Sequence, residues 1–378
     1  MVPSRRTFRT LVATLAFFFL VPAALADQVT PSERVKTRLR ARDQPSSEGD
    51  VVGYLKPGEK ADLLRTTGAW REVKAATWTG YVSSGYTTVI PDAPAVEAGT
   101  EYSVRLGSWN TRKLGHGGQK DYAKLASVIE RNFDILAIIE VMQKGGQHPG
   151  YESLMKELGP GWTGQVTDTP RPATASGDAE YYAIIWRSST LRPCAGWNGL
   201  RYFVDNDGGP SGKGPNNFSR DPAFGCYAYG PADKPAKGDF ILAAYHATFQ
   251  GGAKSPQIDA EVKHLTEVFA AMQAAWPEEK DHIIVGDFNC TPPQIATLLP
   301  NIQDRTTGSG STLNNSGKIT ANLYDHVLVR DGQATAEMQG NATVLDVRQV
   351  AGSPSAYFST MSDHLPIVVV LKASKDDD

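Results

Sequence analysis

Apolar runs of strand length recur from residue 102 onward, and chemically active side chains stand at their ends. Residues 283–285 lead into Gly286-Asp287-Phe288-Asn289, and Ser362-Asp363-His364-Leu365-Pro366 leads into the apolar run 367–370. Continuous apolar runs this short indicate buried strands. Polar side chains at the end of a buried strand usually form a site, because open sheets bind ligands there.

The same pattern predicts the elements of a large domain over residues 102–373. The predicted helices are 122–132 and 258–276, and the second has apolar residues at helical spacing. The predicted strands are 102–110, 135–141, 181–186, 240–248, 282–287, 324–329 and 367–371. Strands that alternate with helices in this way favour an α/β sandwich with two sheets inside and helices outside.

Residues 28–91 follow a different pattern. Short alternating runs are separated by turn signals such as Lys56-Pro57-Gly58-Glu59, which predicts a small all-β barrel. The segments Leu39-Arg40-Ala41-Arg42, Gly53-Tyr54-Leu55, Trp70-Arg71-Glu72-Val73 and Gly80-Tyr81-Val82 occur in an order that resembles the bacterial SH3 domain. This resemblance implies binding to the cell wall or to another protein. By composition, residues 92–101 form a linker and residues 374–378 an acidic tail.

Residues 1–26 have the parts of a secretory signal peptide. Arg5, Arg6 and Arg9 precede an apolar stretch, and Ala24-Leu25-Ala26 provides a cleavage site of small residues. The sequence therefore predicts a secreted or periplasmic protein, exported by the general or the twin-arginine route. No later segment is apolar over about 18 residues, so we expect no transmembrane segment in the mature form.

The charge balance excludes one class of nucleic-acid binder. The chain has 38 basic and 41 acidic side chains, and removal of the signal peptide takes away three arginines and no acids, which leaves a net charge of −6. Proteins that hold nucleic acid by bulk charge are basic. Any phosphate must therefore be bound by a local site or by a metal ion.

One stretch of the N-terminal domain is basic at every second position. Its members are Arg34, Lys36, Arg38, Arg40 and Arg42. In a strand they would share one face and attract an anionic polymer, either wall polymer or nucleic acid. The alternative is a solvated strand face whose charge prevents aggregation.

Cysteine is scarce in this chain. An exported protein can form one disulfide, and we expect a Cys194–Cys226 bond because both residues flank one long loop, with Cys290 as a buried thiol. The alternative is three reduced, buried cysteines. Their spacing does not suit structural zinc.

Oxygen-bearing side chains at strand ends indicate a metal site. Asn110 ends the first predicted strand of the large domain, and Glu140 lies near the end of the second. A carboxylate in an apolar strand is costly to bury unless it is paired or binds a metal, and hard divalent cations prefer such oxygen ligands. The alternative is a glutamate that is buried by chance.

Two histidines also lie near strand ends. His246 follows one apolar run and Glu180 begins another, and Asp325 and His364 repeat the combination of carboxylate and imidazole. A histidine held by a carboxylate can act as a general acid or base. Arg220 follows a loop rich in Gly and Pro, where its guanidinium can grip a phosphate or pair with a neighbouring acid.

These side chains occur in the order found in the endonuclease/exonuclease/phosphatase superfamily, and within it the chain most resembles the DNase I branch. The shared motifs are Asn110, Glu140, Glu180 with Tyr182, Phe218-Ser219-Arg220-Asp221-Pro222, His246, Gly286-Asp287-Phe288-Asn289, Tyr324-Asp325 and Ser362-Asp363-His364. The resemblance covers about residues 103–372. It implies a four-layer α/β sandwich, in which two packed mixed sheets are flanked by helices.

The resemblance also implies a role for each residue. The expected metal ligands are Glu140, Asn110 and Asp363, with Mg²⁺ as the ion and Mn²⁺ or Ca²⁺ as substitutes. The expected acid–base groups are His364 as the base, oriented by Asp325, and His246 as the acid, paired with Glu180. The groups expected to bind the phosphate, the attacking water or the substrate backbone are Asp287, Asn289, Arg220 and Arg112.

Two positions depart from the DNase I pattern. Asp178 stands where that branch has a tyrosine, and Met142 stands where it has an arginine. Both family residues enter the minor groove of duplex DNA. Their absence argues against tight duplex binding and leaves room for RNA or single strands as substrates.

The sequence as a whole predicts an exported, metal-dependent phosphodiesterase. The favoured activity is a monomeric, non-specific DNase I-like endonuclease that cuts DNA, in preference to RNA, to 5′-phosphate and 3′-hydroxyl ends. One rival is a sphingomyelinase or another lipid phosphoesterase of the superfamily. A rival from another class is a catalytically inactive, SH3-type envelope-binding protein, and the complete set of ionisable groups argues against it.

Overall fold

The computed structural model of the protein describes most of the chain, over residues 28–32, 34–67, 69–90, 103–116, 119–171, 179–203, 218–249, 255–330, 332–335 and 337–376. The predicted signal peptide (1–26) and linker (92–101) lie outside these residues. No helix in the described part of the chain is long and apolar enough to cross a membrane.

The N-terminal strands form a curled antiparallel sheet. They are β1 (Gln28–Pro31), β2 (Leu39–Arg42), β3 (Val51–Leu55), β4 (Ala61–Thr67), β5 (Trp70–Lys74), β6 (Thr79–Ser83) and β7 (Thr87–Ile90), with a 3-10 turn at Ser84–Tyr86. Their order across the sheet is β3-β2-β6-β5-β4-β1-β7. Side chains from several strands, including Val29, Ala41, Leu55 and Val73, form its small buried core. This sheet fits the SH3-like domain that the sequence predicts.

The second domain contains the remaining described strands and all the described α-helices. The strands are β8 (Ser103–Leu114), β9 (Ile135–Val141), β10 (Trp162–Val166), β11 (Tyr181–Arg187), β12 (Leu191–Pro193), β13 (Arg201–Tyr202), β14 (Ala223–Tyr229), β15 (Asp239–His246), β16 (His282–Asp287), β17 (Ile302–Asp304), β18 (Thr306–Thr307), β19 (Asp325–Arg330), β20 (Met338–Val344) and β21 (Ile367–Lys372). The helices are α1 (Tyr122–Asn132), α2 (Pro149–Leu158), α3 (Pro256–Lys263), α4 (Leu265–Ala275), α5 (Pro292–Leu298) and α6 (Pro354–Thr360), with 3-10 turns at Arg348–Ala351 and Ala373–Lys375.

These elements form four layers. One mixed sheet has the order β10-β11-β9-β8-β21-β20-β18, and the other has the order β12-β14-β15-β16-β19-β17, with β13 beside β14. A single apolar cluster joins residues from both sheets, so the sheets lie face to face. A second cluster packs α1, α2 and α6 on the outer face of the first sheet, and a third packs α3, α4 and α5 on the outer face of the second. The four-layer α/β sandwich predicted from the sequence is confirmed.

One predicted helix was wrong in its extent. The single helix expected over 258–276 is two helices, α3 and α4, which meet at His264. The backbone N–H of His264 donates to the carbonyl of Glu261, three residues back, and this tighter turn ends α3. Both helices bury apolar residues in the same cluster, so the apolar spacing continues across the break and does not reveal it.

The predicted disulfide is present. Cys194 follows β12, and it is bonded to Cys226 on β14. Cys290 is a free, buried thiol. The bond ties the start of the loop that precedes Arg220 to the sheet that carries His246.

Candidate active site

The candidate site lies at one end of the layer between the two sheets. In β15, Phe240, Leu242 and Ala244 pack into this layer, and His246 is the next residue on the same face. The other strands behave in the same way, because successive side chains of a strand point to opposite faces. The polar residues that continue the inner faces are Asn110, Glu180, His246, Asp287 and Asp325, and all five are buried.

Strand pairing places three of these residues in one row. β15 and β16 are parallel and pair His246 with Asp287, and β16 and β19 are antiparallel and pair Asp287 with Asp325. Gly286 permits this close packing, because its φ is +150° and a Cβ there would lie 1.8 Å from the carbonyl oxygen of Tyr245. A larger residue would therefore push β15 away from β16 and separate His246 from Asp287.

Glu140 reaches the inner face by a different route. Strict alternation in β9 would place it with Ile138, whose side chain faces the helices. Instead Glu140 has a φ of +64°, and the pairing of β9 with β11 shifts by one residue at this point. This bulge turns the carboxylate towards Asn110, whose Nδ2 donates to Glu140 Oε1 at 2.9 Å.

Backbone strain is concentrated around the site. The described non-glycine residues with positive φ are Arg112, Lys113, Glu140, Asn289 and Ala334, and all but Ala334 belong to or adjoin the candidate set. Such conformations cost on the order of 1–3 kcal/mol each and persist where the surrounding structure enforces them. The enforced turn at residues 112–113 brings the backbone N–H of Lys113 to Glu140 Oε2 at 2.8 Å.

His246 is held by a carboxylate on one side. Its Nδ1 lies 2.7 Å from Glu180 Oε2, and the backbone N–H of His246 donates to the hydroxyl of Tyr182. Burial lowers the pKa of His246, but the charge of Glu180 opposes this, and the pKa is raised overall. Glu180 also contacts Arg220, since its Oε1 lies 3.1 Å from Nη2 of the guanidinium. The carboxylate beside Nδ1 therefore stabilises the protonated form of the imidazole.

His364 repeats this arrangement on the other side of the site. Its Nδ1 lies 2.8 Å from Asp325 Oδ2. Burial lowers the pKa of His364, but the charges of Asp325 and Asp287 outweigh it and raise the pKa well above its usual value. Ser362 fixes the turn that carries this histidine, because its hydroxyl donates to the carbonyl of Asn110 at 2.6 Å and accepts from the backbone N–H of His364 at 3.0 Å.

Asp287 lies between the two histidines. Its Oδ2 is 3.7 Å from Nε2 of His246 and 3.4 Å from Nε2 of His364, and it accepts from Asn110 Nδ2 at 3.1 Å. Its Oδ1 accepts from the backbone N–H of Asn289 at 3.0 Å. Two imidazoles therefore direct their free ring nitrogens at one carboxylate oxygen, with Asn289 beside it.

The expected metal ligands are only partly brought together. Glu140 and Asn110 are in contact, whereas Asp363 Oδ2 lies 3.5 Å from Nε of Arg112. Among the described residues, Glu140, Glu180 and His246 also place one potential ligand atom each within 4.8 Å of one another. Carboxylate oxygens suit a hard divalent cation, so Glu140 fits such an ion. Asn110 presents Nδ2 to Glu140, and its Oδ1, the atom that would bind a cation, accepts from the backbone N–H of Arg112 at 2.9 Å.

A comparison with protein-family models assigns the chain to a family. The Endonuclease/Exonuclease/phosphatase family model matches residues 107–364, which is more than half of the chain. The chain belongs to the endonuclease/exonuclease/phosphatase family. Members of this family are phosphoesterases that depend on divalent metal ions. No curated protein matches the chain.

Several solved structures are similar to this family member. An endonuclease/exonuclease/phosphatase from Bacteroides vulgatus is 16% identical, with a TM-score of 0.48 over 72% of this chain and 99% of that one. A mannosyl-6-phosphatase from Bacteroides thetaiotaomicron is 16% identical, with a TM-score of 0.47 over 70% and 98%. TDP2 from D. rerio, complexed with a single strand DNA product, is 14% identical, with a TM-score of 0.48 over 71% and 98%.

The two arginines singled out from the sequence have different surroundings. Arg220 is partly buried beside Glu180, its Nη1 donates to the carbonyl of Ala247 at 3.2 Å, and its Nε has no partner among the described residues. Arg112 contacts Asp363 at the edge of the site, and its guanidinium lies 4.3 Å from the ring centre of Phe358. Met142 is buried, with 1% of its surface exposed, and Asp178 lies outside the described residues.

Lys120 is a residue that the sequence analysis missed. Its ammonium donates to the carbonyls of Thr111, at 2.8 Å, and Met361, at 2.6 Å, and so ties the end of β8 to the turn that carries His364. Burial lowers its pKa to about 8, although the charge of Asp363 opposes the change. Lys120 stands in a polar segment before α1 that has no periodic pattern, so nothing in the sequence marks it.

Proposed function

We propose that this family member is an exported, metal-dependent endonuclease that cuts DNA without sequence specificity and leaves 5′-phosphate and 3′-hydroxyl ends. One observation carries the proposal: two histidines face the same oxygen of Asp287, and each is held at Nδ1 by its own carboxylate. Phosphodiester hydrolysis needs one group to activate water and another to protonate the leaving oxygen. The two pairs can supply both.

We assign the acid to His246. Its raised pKa favours the protonated ring, and Glu180 fixes the proton on Nδ1 so that Nε2 can donate to the leaving oxygen. Arg220 lies on the same side, and its Nε, which has no hydrogen-bond partner among the described residues, suits a non-bridging phosphate oxygen. His246 and Arg220 therefore both contact Glu180, which brings the acid close to the anion-binding group.

We assign the base to His364. Asp325 orients its ring, and the turn fixed by Ser362 directs Nε2 at Asp287. A base must first lose its own proton, and the pKa of His364 is raised. The proposal therefore implies that the rate rises with pH as His364 is deprotonated. Asp287 and Asn289 would position the water and the phosphate between the two rings.

Glu140 and Asn110 would hold the divalent cation, with Asp363 as the further predicted ligand. When bound there, the ion would supply positive charge that polarises the phosphate and stabilises the charge of the transition state. On the protein side, the strained backbone at Glu140 and the N–H of Lys113 fix the carboxylate in place before any ligand arrives.

The choice of a nucleic acid rests on the groups that can contact a phosphodiester backbone, and the choice of DNA rests on the resemblance to the DNase I branch. Arg220, Asn289 and Arg112 lie in or around one site, which suits a substrate that is recognised by its phosphates. Met142 is buried and does not present a charged group to a DNA groove. We therefore expect weak, sequence-independent binding of duplex DNA.

A panel of substrates tests the proposal. The purified mature protein would be incubated with supercoiled plasmid, single-stranded RNA and sphingomyelin vesicles, each with Mg²⁺ or with EDTA. We expect plasmid nicking that needs the metal, and we expect DNA ligase to reseal the nicks because it joins only 5′-phosphate to 3′-hydroxyl ends. Hydrolysis of sphingomyelin without nicking would overturn the proposal in favour of a lipid substrate.

A further inference from the structure

A groove on the N-terminal domain combines positive charge with aromatic surface. It has a volume of about 370 Å³, which lies in the range of ligand-binding clefts. The basic residues that line it are Arg34, Lys36, Arg38, Arg40 and Arg42. The expectation that a single strand would align them was wrong, because only residues 39–42 are in β2 and residues 34–38 form turns. All five basic side chains nevertheless line the groove.

These cations are available to a ligand. The side chains of Arg34, Lys36, Arg38 and Arg40 are exposed. In the described part of the chain, no carboxylate lines the groove, and none lies within salt-bridge distance of its basic groups. Residues 28–91 carry ten basic and seven acidic side chains, although the chain as a whole is acidic. An unpaired cationic cluster in an acidic protein indicates an anionic partner.

Aromatic rings lie among these charges. Trp70 and Tyr86 line the same groove, and half of the surface of Tyr86 is exposed. Just outside it, the guanidinium of Arg38 lies 4.2 Å from the ring centre of Tyr54, which is also exposed. Exposed apolar surface that is rimmed by polar groups is typical of a ligand-binding groove.

We propose that this groove binds single-stranded nucleic acid. Basic side chains that track a phosphate backbone, together with rings on which unpaired bases stack, are the features by which proteins hold single strands without sequence preference. A duplex keeps its bases stacked on each other and cannot use the rings. Wall polymers of glycerol phosphate or polyphosphate would use the charges but leave Trp70 and Tyr86 unused. The groove is a binding site separate from the candidate active site and goes beyond the proposed function.

Two matched double variants of the full mature chain test the proposal. The groove variant is Lys36→Gln with Arg40→Gln, and the control is Lys56→Gln with Lys74→Gln, which removes the same charge from exposed positions of the same domain. Binding of fluorescein-labelled oligothymidylate is followed by anisotropy at several salt concentrations in EDTA, so that no hydrolysis is needed. A Tyr86→Ala variant and an abasic oligomer of equal length separate stacking from charge.

We expect the groove variant to bind about tenfold more weakly than the wild type. The negative slope of log affinity against log salt should become less steep by about 1.4, while the control stays near wild type. Tyr86→Ala should weaken the binding of oligothymidylate but not that of the abasic oligomer. Equal binding by the groove and control variants would overturn the proposal. If inorganic polyphosphate competed as well as unlabelled oligothymidylate and Tyr86→Ala had no effect, the proposal would be overturned and the groove would be assigned to polyanions in general. Because the binding assay needs no catalysis, its result can be interpreted even if the nuclease proposal fails.

Discussion

The substitution Glu180→Gln tests the acid role of His246 with little change of shape. Glutamine fills the same space and can still accept a hydrogen bond from Nδ1 of His246, but it carries no charge. In the wild type, Glu180 lies 2.7 Å from that nitrogen and 3.1 Å from Arg220, and its side chain is 8% exposed. The variant therefore removes the buried negative charge that stabilises protonated His246.

The size of the effect follows from these contacts. A hydrogen bond to a charged group contributes about 1.5–3 kcal/mol and a neutral one about 0.5–1.5 kcal/mol, so the loss of the charge alone, about 1–1.5 kcal/mol, corresponds to about a 5- to 10-fold loss in kcat. The pH dependence should change as well. Burial and the charge of Arg220 both lower the pKa of His246, and without Glu180 the charge of Asp287 remains to raise it. The pH at which activity falls on the alkaline side should therefore move lower, and the ratio of the variant's kcat to the wild-type kcat should be closer to one at lower pH.

The assay is the pH profile of kcat for plasmid nicking, with Asp304→Asn as the matched control. Asp304 lies beside another buried histidine, with its Oδ2 2.9 Å from Nδ1 of His326, but this pair takes no part in the proposed reaction. The control should lose some stability and keep the pH profile of the wild type. A Glu180→Gln protein with an unshifted alkaline limb would refute the reasoning, even if its activity were low.

Three further predictions concern residues outside the acid–base pairs. Lys120→Met should lower kcat by about tenfold or more, because it releases the carbonyls that Lys120 ties together near His364, and an unchanged kcat in steady-state assays would contradict this. Burial lowers the pKa of His282 from 6.5 to about 4, so only the unfolded state takes up this proton as the pH falls through that range. As the pH falls from above 6.5 to about 4, the wild type should then lose up to about 3 kcal/mol of unfolding free energy that His282→Leu does not lose. Equal losses by the two proteins, measured by urea titration at each end of this pH range, would count against a lowered pKa of His282. Cys194→Ser combined with Cys226→Ser should lower the unfolding free energy by about 3–4 kcal/mol, given the sequence separation of 32, and urea midpoints close to those of the wild type would argue against this stabilisation.

The inner-face part of the site could be predicted because it follows the period of a strand. His246, Asp287 and Asp325 each continue an apolar inner face, so the pattern that predicts buried strands also predicts that their polar ends meet. The bounds of β9 and β16 agree with the sequence for the same reason, and those of α1 agree as well. Which of these groups act as acid, base or ligand stays a prediction.

Other features could not be predicted from periodicity. Glu140 would face the helices if β9 were regular, and only the bulge at its positive φ turns it towards Asn110. The break at His264 leaves the apolar spacing intact, so α3 and α4 look like one helix. Lys120 acts through backbone carbonyls of residues distant in sequence, and such contacts depend on tertiary structure alone.

The central claim is that the two histidine–carboxylate pairs cut a phosphodiester with the help of a divalent metal. The most direct measurement is nicking of supercoiled plasmid by the wild type and by His246→Ala, with Mg²⁺ and with EDTA. His264→Ala serves as the control, because this histidine lies at the junction of α3 and α4 and has no place in the proposed reaction. We predict nicking by the wild type and the control only when Mg²⁺ is present, and a loss of at least about 100-fold in His246→Ala. Wild-type rates in His246→Ala, or nicking that persists in EDTA, would contradict the account.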